Sequence, residues 1–490
     1  MKRLISIIVV FYLLLSNSFA QNEEDVLRYS NTQLIGSARY LALGGAYGAV
    51  GADFSSLSSN PAGIGLYKRS EFSITPMLYF GSAESRYGGQ THDGNKNNFA
   101  LGNAGFVLNF QTADRLDSSP FKNFQMGFGV NRLKDFNNSI FIQGVNSDNS
   151  LLDAYLSYAG NKNPESLNPF DTRLAFDTFL LDTIPGAAVP TYVNAYSYIG
   201  GFSSALQRKS IETYGSVNEW VLSGGTNIND KLYLGFTVGF PQIRYFQSSV
   251  YNEVNQTTPL KDLDQFNYIE DLETNGGGVN VKVGAIVRPL DWLRVGAAYH
   301  SPTWYTNLDD SWSTRMNAYY TNGDFFTSNS PVGDYNYDIQ TPSKFIGSLA
   351  LLFGNMGLIS ADYEYVDFSK GKLDPSFDFS MQNEIIRDNF TAGNNLRIGT
   401  EWRAGVMLLR GGYANYGSPF RTGVNDGQIQ TFSAGLGYRN RDYFIDAAFN
   451  YSVSEMDYTL YGNNVVSPVP SALNKYQVYN FLITLGYRFD

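Results

Sequence analysis

The sequence of 490 residues has no cysteine and only two histidines, His92 and His300. Without thiolates there is no disulfide scaffold and no cysteine-ligated metal site. Two isolated imidazoles leave little for histidine-based catalysis. Charge is sparse, at 16% of residues. Long apolar runs are also missing: a membrane helix needs about 20 consecutive apolar residues, and only the first residues approach that. In their place stand 35 Tyr, 35 Phe, 5 Trp and 48 Gly, with 43% hydrophobic residues and a mean hydropathy of −0.23. That much apolar material excludes disorder. Aromatics and glycine with modest hydropathy fit an all-β chain whose strands alternate polar and apolar residues.

The beginning of the chain carries an address. Lys2 and Arg3 precede the apolar run Leu4–Leu15, and small residues follow at Ser18 and Ala20 before Gln21-Asn22-Glu23-Glu24-Asp25. These are the parts of a secretory signal peptide, 1–20, too short for a membrane anchor. Its removal leaves 33 basic against 45 acidic residues, a net charge near −12, which argues against nucleic acid as a partner.

From residue 71 onward, segments of period-2 alternation follow one another. Leu232, Leu234, Phe236, Val238 and Phe240 share one face while Lys231, Tyr233, Gly235, Thr237 and Gly239 share the other. Leu396, Ile398, Thr400 and Trp402 alternate with Arg397, Gly399, Glu401 and Arg403, and Phe481, Ile483, Leu485 and Tyr487 with Leu482, Thr484, Gly486 and Arg488. Strands are expected near 71–80, 99–110, 122–133, 215–228, 231–252, 274–288, 291–305, 335–353, 356–368, 394–403, 405–416, 429–440, 442–455 and 475–489. Tight turns (439–442, 403–405, 354–356, 289–291, 227–230) alternate with long connections (455–474, 417–428, 369–393, 305–334, 252–273). Outer-membrane barrels load one rim in this way, with short periplasmic turns and long outer loops. The fold class read here is all-β, a transmembrane antiparallel up-and-down barrel of fourteen strands, spanning 71–490. Its largest outer insertion is 134–214, with amphipathic helical stretches at 151–160 and 172–181. Tyr299, Tyr438 and Tyr451 stand near strand ends, where aromatic girdles belong.

Fourteen strands leave a lumen wider than side chains alone can fill. Residues 21–70 precede the first strand and do not alternate. They hold the small-residue run Gly36–Asp53, with Gly44-Gly45, and the turn Ser59-Asn60-Pro61-Ala62-Gly63, in which Asn-Pro favours turn initiation. A luminal hatch is the expected role. Gly44-Gly45-Ala46 followed by Asn60-Pro61-Ala62-Gly63 resembles the plug signature of the FadL/TodX family of outer-membrane transporters for long-chain fatty acids and hydrocarbons. Further matches occur in order at 294–302, at Thr341-Pro342 with 361–365, at 396–401, 410–413 and 435–438. The resemblance covers most of the mature chain except the outer loops, and departs from the family at His300, where Arg is usual. It implies a 14-stranded barrel closed by an N-terminal hatch, a hatch that moves, and lateral exit of the ligand through the barrel wall.

The expected function is passive uptake of hydrophobic small molecules across the outer membrane of a Gram-negative bacterium, with no enzymatic activity, no cofactor and no metal. Apolar solutes dissolve poorly in water-filled pores, and a channel that removes apolar surface from water gains about 25 cal/mol per Å². No energy-coupling box is evident. The expected partners are the hydrophobic ligand, outer-membrane lipid and lipopolysaccharide, with the chain a monomer. Asp362, Glu364, Arg397 and Glu401 are the polar candidates for the lumen wall. The acidic group Glu270, Asp271 and Glu273 is expected in a solvated outer loop, and His92 in the first outer loop. A lateral gap requires interrupted strand pairing, with Pro76 or Gly102–Gly105 as candidate sites. The alternatives are a docking or assembly partner for protein secretion or surface attachment, and a haemin-type receptor.

Overall fold

The computed structural model describes residues 23–111, 120–198, 200–256, 262–462 and 465–490. The expected leader lies outside them. Among the described residues no helix is long and apolar enough to cross a membrane. The chain crosses with strands instead, fourteen of them in one closed antiparallel barrel.

In chain order they are β1 (Ser70–Tyr87), β2 (Gln90–Gln111), β3 (Phe121–Asp135, continued as Asn138–Asn146), β4 (Ala205–Ile228), β5 (Leu232–Asn255) and β6 (Leu263–Leu290). Then come β7 (Leu293–His300, continued as Trp304–Tyr320), β8 (Gly333–Gln340, continued as Lys344–Leu352), β9 (Gly357–Asp367) and β10 (Ala392–Ala404). The last four are β11 (Met407–Tyr416), β12 (Ile429–Arg439), β13 (Tyr443–Thr459) and β14 (Ser471–Phe489). Each pairs with its chain neighbours, and β1 closes the barrel on β14 from Ser70↔Phe489 to Arg86↔Leu473.

The alternation read from the sequence becomes the two faces of this wall. Leu234, Phe236 and Phe240 of β5, Leu396, Ile398 and Trp402 of β10, and Phe481, Ile483 and Leu485 of β14 are exposed on the outside. Thr237, Arg397, Glu401 and Thr484 are buried inside. The outward residues form the lipid-facing band, which needs only about 9–11 residues of tilted strand.

Many strands run far beyond that band. β6 has 28 residues and β4 and β5 have 24 each. The wall therefore continues into stretches expected as connections: Glu270, Asp271 and Glu273 stand on β6, and His92 on β2, not in loops. The turn between β1 and β2 is Gly88-Gly89, and the chain between β3 and β4 that lies outside the barrel wall is 147–204, with a small two-stranded sheet of its own, Leu181–Thr183 with Tyr192–Asn194. Above the lipid both faces of a strand meet water or protein, so polarity no longer alternates and the signal for strand is lost. β7 and β8 are each broken, at 301–303 and 341–343, around Pro302 and Pro342, which cannot donate to a ladder.

Within 147–204, helices α3 (Leu151–Ala159) and α4 (Thr172–Asp177) pack on the protruding wall. Leu152, Ala154, Leu174 and Leu180 share a buried apolar cluster with Ile142 of β3, Phe266 of β6, Met316 of β7 and Ala472 of β14. The centre of this cap is polar. Glu253, well outside the lipid-facing band, accepts from Ser150 Oγ at 2.5 Å, Tyr196 OH at 2.8 Å, Tyr251 OH at 2.5 Å and Gln207 Nε2 at 3.0 Å. Burial holds its carboxyl above the usual carboxylate range, against these hydrogen bonds.

Candidate functional site: the hatch, the luminal cavity and the wall beside it

Residues 23–67 precede the barrel strands and lie inside the barrel as two parts. The first is a strap, 23–36, that begins with helix α1 (Glu23–Ser30). The second is a compact block that contains α2 (Ala38–Ala42) and two 3₁₀ turns, Phe54–Ser58 and Pro61–Leu66. Side-chain caps start each element: Ser37 accepts from Tyr40 N, Asp53 from Ser55 N, and Asn60 from Ala62 N.

The glycines of the plug signature and of the wall answer one another. Gly44 and Gly45 have φ of +62° and +74°, which favours glycine. A Cβ on Gly44 would lie 2.9 Å from Tyr413 N, and one on Gly412 would lie 2.2 Å from Gly44 N. The Asn60-Pro61-Ala62 turn sits against wall glycines: a Cβ on Gly284 would be 1.9 Å from Asn60 Oδ1, and one on Gly235 would be 2.1 Å from Pro61 O. Asn60 Nδ2 also donates to Gly48 O at 2.5 Å. Gly63 leaves room for Ser56, whose Oγ would be 2.6 Å from a Cβ there.

Charge fixes the block. Arg39 makes a two-pronged pair with Glu401, Nε to Oε2 at 2.8 Å and Nη2 to Oε1 at 2.9 Å. Glu401 also accepts from Arg410 Nε at 2.6 Å, and Arg410 reaches Asp446 at 2.7 Å. Asp362 accepts from the backbone N–H groups of Tyr47 and Gly48, both at 2.9 Å. Glu219 accepts from Lys282 at 2.5 Å and Ser58 at 2.8 Å. His300 Nε2 lies 2.7 Å from Ser59 O; a carbonyl only accepts, so this nitrogen carries the proton. Arg397 and Glu364 pair with each other at 3.0 Å, and Asn395 supports Glu364 at 2.8 Å. Of the four polar candidates, Asp362 and Glu401 hold the hatch and Glu364 and Arg397 line the space beside it.

That space is a cavity of about 110 Å³, lined by Tyr29, Gln33, Leu133, Lys344, Glu364 and Arg397 among others. It differs from the continuous apolar tunnel that simple passage would suggest, since polar side chains make most of its wall. Lys344 Nζ donates to Thr32 Oγ1 at 3.4 Å. On the outer side the cavity gives way to an apolar cluster of Val26 and Tyr29 from α1 with Phe136, Tyr245, Tyr305, Phe379 and Ile386. Tyr29 meets Phe136 edge-on with centroids 6.1 Å apart, and burial raises its phenol above the ordinary range. Phe379 and Ile386 belong to the β9–β10 connection, whose helix α5 (Ser380–Asn389) covers the cluster and leaves Phe377 and Met381 exposed outward. Below the hatch, a wider space of about 440 Å³ opens among the short turns, with Arg288, Arg294 and Tyr233 in its wall.

Beside the cavity the wall is interrupted. β1 is irregular between Thr75 and Pro76, and the ladder between β2 and β3 ends at Asn103↔Asn131. Beyond that point β2 pairs with β1 alone, up to Gln90, while β3 continues on β4 with a second irregularity between Arg132 and Lys134. Leu133 lines the cavity on one side of this break, and Phe99, 71% exposed, marks its outer sill on β2. Of the two stretches expected to mark a gap, Pro76 falls at a bulge and Gly102 at the lost ladder. Gln33, Asn98, Arg132, Leu133 and Asp135 were not anticipated. The available signal was the run Arg132-Leu133-Lys134-Asp135, which puts charge on both faces of a strand directly after the outward Phe124, Met126 and Phe128.

Comparison with known proteins agrees with this architecture. The sequence profile of the family described as outer membrane protein transport protein (OMPP1/FadL/TodX) matches residues 207–489, more than half of the chain. No curated protein matches in sequence. Among solved structures, the toluene transporter TodX of Pseudomonas putida superposes with a TM-score of 0.55 at 13% identity, covering 93% of this chain and 99% of that one. A Pseudomonas aeruginosa FadL homologue gives 0.54 at 12% identity, with 94% and 99% covered. The Ralstonia pickettii toluene transporter TbuX gives 0.52 at 15% identity, with 94% and 100% covered. At these identities the structural likeness is one of fold.

Proposed function

We propose that this chain, which belongs to the outer membrane protein transport family (OMPP1/FadL/TodX), carries hydrophobic small molecules passively across the outer membrane and releases them sideways into lipid. The observation that supports this reading is the break between β2 and β3 directly beside the luminal cavity. A solute that leaves through the wall enters hydrocarbon without crossing water, which keeps its apolar surface out of water along the whole path.

The arrangement corresponds to a closed channel. Tyr29 and Val26 of the strap occupy the apolar cluster through which a solute would arrive from the outer loops. Uptake therefore requires the strap to yield, while the glycine-seated block keeps water from the periplasm. At about 110 Å³, with Lys344, Glu364 and Arg397 in its wall, the cavity is smaller and more polar than the apolar cavities of about 150 Å³ that bind benzene, so a solute needs the strap to move. The similar structures are those of toluene transporters and a FadL homologue. Monoaromatic hydrocarbons and fatty acids are therefore the two substrate classes to compare. The docking reading has less support, because the outer connections are packed into a cap. For haemin, His300 is committed to Ser59 and His92 to Gln90 and Gln143.

The test is uptake into liposomes of labelled laurate and labelled toluene. Rates above those of empty liposomes for at least one class are expected; rates equal to empty liposomes for both reject transport. Deleting 21–66 is expected to raise leakage of small sugars, and unchanged permeability argues against the hatch as the seal.

A further inference from the structure

Beside the cavity the break in the wall is bridged by side chains that converge on one residue of β3; farther out, His92 of β2 meets Gln143 of β3 at 3.3 Å. Gln33 of the strap stands where a neighbouring strand would stand. Its N–H donates to Leu133 O at 2.9 Å, its Nε2 to Asp135 O at 3.3 Å, and its Oε1 accepts from Asp135 N at 2.9 Å. The Asp135 carboxylate accepts from Asn98 Nδ2 of β2 at 3.0 Å and from Arg132 Nη1 at 2.8 Å. Its other oxygen accepts from Asn137 N at 3.0 Å and Nδ2 at 2.7 Å. Arg132 Nε in turn donates to Leu101 O of β2 at 3.2 Å. The Asp135 side chain is 0% exposed.

We propose that Asp135 is the latch of the lateral window, tying β3 to β2 through its carboxylate and to the hatch strap through its backbone. The proposal rests on lateral exit as the route of uptake. The physical reason is the cost of a bare strand edge in a membrane, where each unpaired backbone group is expensive. A continuous ladder would have to lose many bonds at once to open. A single charge-centred cluster opens by losing a few, and the strap controls whether they form.

The same contacts couple entry to exit. Phe136, next in sequence to Asp135, is one of three rings against which Tyr29 of α1 packs, with Tyr245 and Tyr305. Lys134 Nζ donates to Arg28 O at 2.8 Å. A solute that displaces Tyr29 from the apolar cluster therefore moves the segment that carries Gln33, and removes the backbone partner of Asp135. Asp135 is a positioning residue and need not touch the solute.

The experiment compares wild type, Asp135→Ala and Asp135→Asn in liposomes with labelled laurate, after gel mobility with and without heating has shown a folded barrel. Asp135→Ala is expected to raise the maximal uptake rate about tenfold, which corresponds to about 1.4 kcal/mol of lost closure, with the half-saturating concentration unchanged. Asp135→Asn keeps an acceptor for Asn98 and Arg132 and is expected to lie between the two. The chain has no native cysteine, so an Asn98→Cys/Asp135→Cys pair can be bridged with a short thiol crosslinker. Uptake is expected to fall to the empty-liposome level when bridged and to recover when the bridge is cleaved. If wild type takes up laurate and Asp135→Ala is no faster, or bridging leaves the rate unchanged, the latch is overturned while transport stands. If wild type equals empty liposomes, transport itself falls and the latch with it. Labelling of Leu133→Cys by a maleimide dissolved in the bilayer reads the window without transport. Faster labelling in the Asp135→Ala background is expected, and equal labelling overturns the latch.

Discussion

The two parts of the hatch region occupy the same lumen and are held by different physics. The block around Arg39 and Asn60 is fixed by the buried charge pair of Arg39 with Glu401 of β10, which Arg410 of β11 also holds, by backbone donors to Asp362, and by a seat of wall glycines. The strap is held by apolar contacts of Val26 and Tyr29 and by a few hydrogen bonds that Gln33, Thr32 and Arg28 accept from Asp135 N, Lys344 and Lys134 of the wall. A buried ion pair resists the loss of either partner strongly, whereas a hydrogen bond between neutral groups, as at Gln33, contributes about 1 kcal/mol, and one donated by Lys134 or Lys344 to a neutral oxygen about 1.5–3 kcal/mol. The difference separates a seal from a moving part: the block blocks water, and the strap is the element a solute can displace.

The comparison can be broken most severely at Glu401. Glu401→Ala leaves Arg39 and Arg410 without their shared acceptor and is expected to cost about 3–5 kcal/mol. Sugar leakage should rise, and hydrogen exchange should accelerate across 37–67; wild-type leakage would mean that charge does not hold the block. A smaller effect is expected from Gly235→Val, whose Cβ would meet the Pro61 carbonyl. Overpacking of this kind costs about 1–3 kcal/mol and should unseat the Asn60 turn, read as the same leakage at a lower level. Gln33→Ala should cost about 1 kcal/mol, speeding exchange in 23–36 and leaving 37–67 and leakage at wild-type values. If the block loosens as well, the two parts are one unit and the comparison fails.

The smallest effect is expected in the cap, which separates burial from charge pairing. Glu253 is even more buried than Glu401, but it accepts from hydroxyl, amide and backbone groups. Because burial raises its folded-state value, its contribution to cap stability is fully present below about pH 4.3, the unfolded value. That contribution is lost as pH rises through the folded-state value. Exchange of the α3 amides, corrected for intrinsic rate, should therefore quicken with rising pH in this range, and Glu253→Gln should abolish the dependence. A slope unchanged by Glu253→Gln would remove Glu253 as its source.

How much was legible follows from which residues face lipid. Within the band, outward Leu396, Ile398 and Trp402 against inward Arg397 and Glu401 made the strand, its faces and its membership of a closed wall readable. Beyond the band, Glu270–Glu273 and His92 read as loop because water on the outer side no longer demands apolar residues, and only ladder pairing keeps them in strands. The plug signature was legible because Gly44 and Asn60-Pro61 carry local backbone requirements. Gln33, Asn98 and Asp135 carry none, being ordinary polar residues 65 and 37 positions apart along the chain.

The sequence by itself therefore determined the barrel, its fourteen crossings and the presence of something inside it, since periodicity and turn chemistry are local. Tertiary structure alone decided where the wall breaks and what bridges the break. Closure of β1 on β14 sets which strand edges meet, and the path of the strap decides which of those edges is completed by a side chain.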